Sequence, residues 1–139
     1  VRQLPDSIWY EVQMGGITGW VSSAFVAYSG AVDDITAQVI QNLGGTAPSA
    51  ETMVDLGLIV AEAMASDDPP SRIVVTVAPH VGDLGEITYD GIGLGDDALR
   101  GYRLHVFGQP DESGEGFSLK SVESTLLCAR GVTADGLAI

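Results

Sequence analysis

The sequence predicts an α+β protein in which a small β element and a helical connector precede an antiparallel β meander packed by a helix. Three textures along the chain carry this prediction. Residues 1–30 hold aromatic residues and β-formers around turn signals, whereas residues 31–68 show apolar positions at helical spacing. Residues 69–139 are rich in Val and Ile strands with short polar connections. We therefore expect three regions with these boundaries.

The first region predicts a β-hairpin. A strand over 9–13 contains Trp9 and Tyr10, and the Gly-Gly pair within 14–17 suits a tight turn because glycine permits positive φ. The returning strand should run toward Phe25. Since a lone hairpin is only marginally stable in water, we expect it to dock on the rest of the chain or to pair with a second copy as a homo-oligomer.

The second region predicts two helices. Asp34 is the expected N-cap of the first helix, and Gly44-Gly45 should end it. Ser49 is the expected N-cap of the second helix, and the proline pair at 69–70 should end that one. Apolar residues at helical spacing should face the core in both helices: Ile35, Val39, Ile40 and Leu43 in the first, and Met53, Leu56, Val60, Ala63 and Met64 in the second.

The third region predicts strands over 72–78, 86–92, 102–107 and 117–128. These strands follow one another with short connections and without intervening helices, which favours an antiparallel meander. Within the last strand the apolar residues change phase near Ser121-Val122. A β-bulge would account for this change of phase.

Composition limits the partners that this chain can have. The 139 residues are 45% hydrophobic and 18% charged, which is enough apolar material for a core and excludes disorder as the default state. A formal net charge of −13 repels phosphate backbones and anionic lipid, so we expect no nucleic-acid partner. Polar residues interrupt the most apolar window, 53–65, so we expect no membrane insertion by this segment. The opening Val1 indicates a processed product, a trimmed chain or a part of a longer one.

The stretch from 9 to 26 resembles the closing half of bacterial SH3-like modules. In that family a Trp-Tyr-x-Val strand leads through a hairpin to a Thr-Gly-Trp-Val strand and a short final turn. This chain carries Trp9-Tyr10-Glu11-Val12 and Thr18-Gly19-Trp20-Val21. The resemblance covers only the C-terminal half of the module, at residues 1–28. It implies an extracytoplasmic protein, secreted or of the cell envelope, that binds cell-wall peptide, glycan or another ligand.

A second similarity links the third region to the C-terminal domains of bacterial envelope proteins. The residues that carry it are the strand from Tyr102 to Phe107 and the run Cys128-Ala129-Arg130-Gly131. In such domains that cysteine commonly pairs with another cysteine near the C-terminus. Here a single cysteine excludes an internal disulfide framework, and both a buried inert thiol and a lost disulfide partner stay open for Cys128.

Few side chains offer catalytic or metal-binding chemistry. His80, His105 and Cys128 are the only residues of the sequence able to act as a conventional base, nucleophile or soft metal ligand, and none has a local signature around it. We expect His105 to face solvent or a groove. The Gly- and Asp-rich stretch 90–97 is either a turn between strands or a hard-cation site, and the turn is the simpler interpretation. We therefore expect no catalytic residue, no metal and no cofactor.

These observations favour a non-catalytic binding protein outside the cytoplasm. Aromatic side chains on a small β scaffold can hold a peptide or a sugar by stacking and burial, without chemistry. The expected ligand-binding residues are Trp9, Tyr10, Trp20 and Phe25. The alternative is a structural or assembly protein that acts through self-association or a protein partner, and a hydrolase is the third hypothesis.

Overall fold

The computed structural model describes residues 2–3, 9–67, 70–93 and 97–139. Its strands form two antiparallel sheets, and two short helices accompany them, so the α+β class is confirmed in its broad sense. In chain order the elements are β1 (Arg2–Gln3), β2 (Trp9–Met14), β3 (Ile17–Ser22), a 3-10 turn (Ser23–Phe25), β4 (Tyr28–Asp34), α1 (Thr36–Asn42), β5 (Ser49–Ala50), α2 (Met53–Ala63), β6 (Arg72–Val81), β7 (Gly85–Ile92), β8 (Leu99–Pro110) and β9 (Phe117–Cys128).

The N-terminal sheet has the order β1-β2-β3 and contains the predicted hairpin. Met14 pairs with Ile17 across the turn, and the two residues between them, Gly15 and Gly16, have φ values of 58° and 79°. Positive φ at both central positions is the requirement of a type I′ turn, so the glycine pair is what closes this hairpin. Strand β3 ends at Ser22, because the chain then enters the 3-10 turn instead of continuing extended.

The larger sheet has the order β4-β9-β8-β7-β6, and β5 also pairs with β9. The run from β6 to β9 is the predicted antiparallel meander, in which each strand pairs with the next along the chain. Strand β4, which precedes both helices, adds to the free side of β9. The helices therefore lie between strands of one sheet in the chain order.

Helix α1 follows the predicted capping residue. The Asp34 carboxylate oxygen Oδ1 accepts hydrogen bonds from the Thr36 backbone N–H at 2.9 Å and from its hydroxyl at 2.6 Å. Both bonds hold the pKa of Asp34 below its ordinary value, with the hydroxyl bond the larger cause. The helix ends where Gly44 and Gly45 take φ values of 90° and 96°. The predicted end at the glycine pair is thus confirmed. The expected N-cap, Asp34, is wrong by one residue, because the N-cap is Ile35 and Asp34 is still part of β4.

Helix α2 begins later than the sequence predicts. Its N-cap is Thr52, whose hydroxyl accepts a hydrogen bond from the Asp55 backbone N–H at 3.1 Å. The expected N-cap, Ser49, is wrong because its backbone is extended in β5 and pairs with Ser118 of β9. The predicted apolar stripe is confirmed, since Met53, Leu56 and Val60 are all buried, and Met64 packs against them partly buried.

The core lies between the two helices and one face of the larger sheet. Helix α1 packs on β9, and α2 packs mainly on β7. Fully burying an aliphatic side chain stabilises a fold by about 1.5–3 kcal/mol, so this layer supplies most of the stabilisation. Its buried side chains are Val39, Met53, Leu56, Val60 and Ala61 from the helices, and Ile87, Tyr89, Leu104, Val106, Leu119 and Val122 from the sheet.

The predicted bulge in β9 is present. Phe107 pairs with Ser121, whereas the next residue of β8, Gly108, pairs with Leu119, so Lys120 is the extra residue. The bulge lies one residue before the predicted position. It lets Leu119 and Val122, which are three residues apart, both point into the core.

The opposite face of the larger sheet, called the outer face below, carries polar and charged side chains. Cross-strand partners share a face, so the register places Glu86, Thr88 and Asp90 of β7 beside Phe107, His105 and Arg103 of β8, in that order. This alternation with the buried positions Ile87, Tyr89, Leu104 and Val106 is what the period of a strand requires. None of the helices in the described part of the chain is long and apolar enough to cross a membrane.

Candidate binding pocket

A pocket of about 320 Å³ opens at one end of the outer face. Residues 25–27, in the segment that joins the two sheets, form one wall, and the strands of the larger sheet form the floor. The volume is at the small end of the range for ligand sites, about 300–1,000 Å³. We call it the arginine pocket, and it is lined by Phe25, Val26, Ala27, Ser29, Arg72, Asp90, Ile92, Arg100, Arg103 and Leu127.

Basic side chains are concentrated at this pocket. The whole sequence contains six Lys and Arg residues against 19 Asp and Glu, yet Arg72, Arg100 and Arg103 all line this one pocket. Among the described residues, the lining contains a single acidic residue, Asp90. Three positive groups and one negative group give this described lining a charge of +2 in a chain whose formal net charge is −13.

Arg103 is held in place by Asp90, which lies opposite it on β7. The Arg103 Nε–H donates to Oδ1 at 2.9 Å, and the Nη2 group donates to Oδ2 at 3.0 Å. This two-point geometry matches the planar guanidinium to the carboxylate and fixes its orientation. The hydrogen bonds to Asp90 raise the pKa of Arg103 against an opposing effect of burial.

Arg100 reaches the pocket because β8 contains a bulge. Leu99 pairs with Cys128 of β9, whereas Gly101 pairs with Leu127, so Arg100 is the extra residue. A bulge redirects a side chain, and here it brings Arg100 into the same lining as Arg103, which strict alternation would place on the opposite face. The Arg100 Nη2 group donates to the carbonyl oxygen of Ser23 at 2.7 Å, which ties the segment 23–27 over the sheet.

Arg72 lies at the start of β6, opposite Ile92 of β7. Its side chain is exposed, and among the described residues it makes no ion pair or hydrogen bond. A guanidinium carries five N–H donors. Arg72 is therefore the basic side chain of the lining whose donors are most accessible to a ligand.

The structure does not bring the four expected ligand-binding residues together. Trp9 and Trp20 lie on one face of the N-terminal sheet and are 46% and 42% exposed, whereas Tyr10 belongs to the other face. Phe25 is 85% exposed in the 3-10 turn and is the only one of the four that lines the arginine pocket. The set thus divides among three locations.

Tyr10 contacts the larger sheet. Its ring meets that of Tyr28 edge to face, with a distance of 6.2 Å between ring centroids, and a hydrogen bond with Tyr10 is the first cause that raises the pKa of Tyr28. A second, mostly apolar cavity of about 230 Å³ lies here, lined by Tyr10, Val12, Val21, Val26, Ala27 and Tyr28. The hairpin therefore docks on the chain itself, which is one of the two arrangements that its marginal stability predicts.

The residues with catalytic potential lie apart. Cys128 is fully buried, as predicted, and burial raises the pKa of its thiol. His105 lies on the outer face, and its side chain is 38% exposed. Its ring centroid is 4.1 Å from that of Phe107, and its Nε2 atom is 3.8 Å from the Glu86 Oε1 atom. Within the described ranges, no three His, Cys, Asp or Glu side chains form a group that could hold a metal ion.

The stretch 90–97 was the best cation candidate in the sequence. The carboxylate of Asp90, at the start of the stretch, accepts a hydrogen bond from Arg103. The carboxylate of Asp97, at its end, lies 3.5 Å from the Arg130 guanidinium. Positions 94–96 are outside the described residues. The two described carboxylates of this stretch thus interact with guanidinium groups, which favours the simpler interpretation of a turn.

Sequence reasoning missed the three arginines of the pocket. The signal that could have found them is the scarcity of basic residues in so acidic a chain, together with the alternation of Arg103 and His105 on one strand. Similarity offers no further guide, since no protein family, curated protein or solved structure matches this chain.

Proposed function

We propose that the chain is a non-catalytic binding protein and that the arginine pocket is its ligand site. The observation that carries the proposal is the gathering of three of the six basic side chains around one cavity of ligand size. Charged donors beside apolar walls are the usual composition of a site that orients a small ligand. Arg72, Arg100 and Arg103 supply donors, and Phe25, Ile92 and Leu127 supply apolar surface.

The chemistry of the lining favours binding over turnover. Guanidinium groups stay protonated at neutral pH and cannot act as a general base. Asp90, the one carboxylate in the described part of the lining, already accepts two hydrogen bonds from Arg103. A hydrolase would need a base within reach of a nucleophile, and the described lining offers one hydroxyl, on Ser29, without a His or Lys to act as its base.

We further propose that the N-terminal sheet is the closing half of an SH3-like module and that the protein acts in the cell envelope or is secreted. The support is the motif pair Trp9-Tyr10-Glu11-Val12 and Thr18-Gly19-Trp20-Val21, with Glu11 directly opposite Trp20 in the hairpin. The ligand class that this resemblance implies is cell-wall peptide or glycan. Phe25 and Val26 lie in the stretch that resembles the SH3-like module, and they also line the arginine pocket. One ligand in the pocket would therefore contact the SH3-like stretch as well.

Retention on purified bacterial wall material tests this function. We expect the protein to be retained without releasing soluble fragments, and Phe25→Ala to weaken retention by about tenfold, because truncation of an aromatic anchor costs more than about 1 kcal/mol. The matched control is Ile17→Ala, which removes a similarly exposed apolar side chain, 75% exposed, at the hairpin turn. Equal loss in both variants, or release of fragments, would overturn the proposal.

The second candidate is self-association, and β6 is the observation that favours it. This strand lies at one edge of the larger sheet in the described part of the chain. Its side chains Val74, Val75 and Val77 are 38%, 46% and 57% exposed. The outer edge of an apolar edge strand is a template for pairing with another chain. Light scattering should then report a dimer that Val77→Lys converts to a monomer, whereas a monomer at every concentration would remove this candidate.

A further inference from the structure

We propose that the arginine pocket recognises a ligand with a terminal carboxylate next to a small apolar group. This inference rests on the binding function proposed above and specifies its ligand class. Three arginines line the pocket from two strands that flank β7. Arg72 lies on β6, and Arg100 and Arg103 lie on β8. A planar fork of donors fits a carboxylate at two points, which a lysine ammonium does not.

The charge of the lining favours a monoanion. Asp90 balances Arg103 through their two-point ion pair, and Arg72, which is exposed and makes no ion pair among the described residues, supplies the positive charge that attracts a ligand. A dianion such as inorganic phosphate would place a second negative charge near the Asp90 carboxylate. It would also meet the repulsion of a chain with a net charge of −13. A carboxylate satisfies the guanidinium donors at a smaller electrostatic cost.

The apolar residues of the lining indicate which chemical group of the ligand lies beside its carboxylate. Phe25, Val26 and Ala27 form one wall, and Ile92 and Leu127 lie on the floor. These side chains favour a short apolar group, because burial of apolar surface contributes roughly 25 cal/mol per Å². A cavity of about 320 Å³ has room for one or two small residues at the end of a peptide.

The test uses the whole chain and four soluble probes. These are N-acetyl-D-alanyl-D-alanine, N-acetyl-L-alanyl-L-alanine and the C-terminal amide of each, titrated by calorimetry or by NMR. The two stereoisomers distinguish a wall-peptide source from an ordinary peptide terminus. We expect at least one acid to bind about tenfold or more tightly than its amide, because charge-assisted hydrogen bonds are roughly twice as strong as neutral ones.

Two substitutions connect that preference to the pocket. Arg72→Gln should weaken binding of the acid by about tenfold and leave binding of the amide unchanged. Arg130→Gln is the matched control, since Arg130 is exposed, does not line the pocket and should not alter affinity for either probe. Circular dichroism and a thermal melt show whether each variant is folded. A folded Arg72→Gln with the affinity of the wild type would overturn the proposal.

The outcomes separate this inference from the function on which it rests. Retention on wall material that depends on Phe25, without a preference for acid over amide, would overturn the carboxylate class and leave the binding function standing. A preference for the acid without retention on wall material would support the carboxylate class and remove the wall ligand. Absence of both retention and acid binding would overturn both proposals.

Discussion

Asp90 and Arg103 lie directly opposite each other on β7 and β8, and two hydrogen bonds of 2.9 Å and 3.0 Å join their side chains inside the arginine pocket. The Asp90 side chain is only 13% exposed, while that of Arg103 is 47% exposed. The carboxylate is therefore largely shielded, and the guanidinium keeps one surface toward solvent. The pair both orients Arg103 and reduces the positive charge of the pocket.

Asp90→Asn should increase the affinity for an anionic ligand. The substitution removes the one negative charge among the described lining residues and releases the Arg103 donors, so we expect acetylated alanyl-alanine acids to bind several-fold more tightly in calorimetry. A partly exposed ion pair contributes about 0–1 kcal/mol, so the melting temperature should change little. Asp97→Asn, at an exposed pair with Arg130, is the control for a change in net charge alone. Unchanged or weaker binding by Asp90→Asn would contradict this account of the pocket charge.

Leu56→Ala should destabilise the fold by about 2–5 kcal/mol in urea unfolding. Leu56 is fully buried between α2 and the sheet, so the substitution loses apolar burial and leaves a cavity. Leu58→Ala provides the comparison on the same helix, because Leu58 is 38% exposed and should cost far less. Equal effects of the two substitutions would show that the buried face of α2 is wrongly assigned.

Gly57→Ala should destabilise the protein even though alanine favours helix. An added Cβ at Gly57 would lie 2.5 Å from Tyr89 Cε2 and 2.6 Å from Ile87 Cγ2, which is closer than side-chain atoms normally approach. Overpacking costs about 1–3 kcal/mol and outweighs the gain in helix propensity of about 1 kcal/mol. In Gly19→Ala the added Cβ meets no described atom within 4 Å, so this variant should unfold close to the wild-type urea concentration. A more stable Gly57→Ala would mean that α2 lies farther from β7.

The Cys128 thiol should react slowly with a thiol reagent in the native protein. It is fully buried, and burial raises its pKa, so little thiolate forms at neutral pH. Labelling should become fast in urea. A Ser113→Cys thiol on the exposed turn before β9, introduced with Cys128→Ala, gives the rate for an accessible site. Native labelling of Cys128 at that rate would contradict its burial.

The same thiol makes stability depend on alkaline pH. Because the folded pKa is raised, the contribution of Cys128 is complete below the unfolded thiol pKa of about 8.5 and is lost as pH rises through the folded value. We expect the loss of unfolding free energy between neutral and alkaline pH to be smaller in Cys128→Ala than in the wild type. Tyrosines titrate in both proteins, so the difference between them isolates the thiol. Parallel pH profiles would count against a raised pKa.

Local sequence patterns were sufficient to predict the structure where one residue type had a single physical use. The glycine pair at 15–16 closes the hairpin because both central positions of this turn need positive φ. Asp34 lies at the start of α1, where its carboxylate accepts a hydrogen bond from the Thr36 N–H, although the N-cap itself is Ile35. The spacing of Met53, Leu56 and Val60 identified the buried face of α2. The expected cap Ser49 is wrong because Ser49–Ala50 pairs with β9, and no local pattern predicts that pairing.

The position of the arginine pocket depends on strand pairing between distant segments of the chain. Strand alternation assigns Arg103 to a face, but it does not tell which strand lies beside it, because pairing between distant segments depends on the whole sheet. Arg72 lies in the same pocket as Arg103 because β6, β7 and β8 are neighbours in the sheet. Arg100 enters the same lining because a bulge breaks the alternation of β8. The aromatic residues that suggested a ligand site were separated by the same pairing, which places Trp20 and Tyr10 on opposite faces of one small sheet.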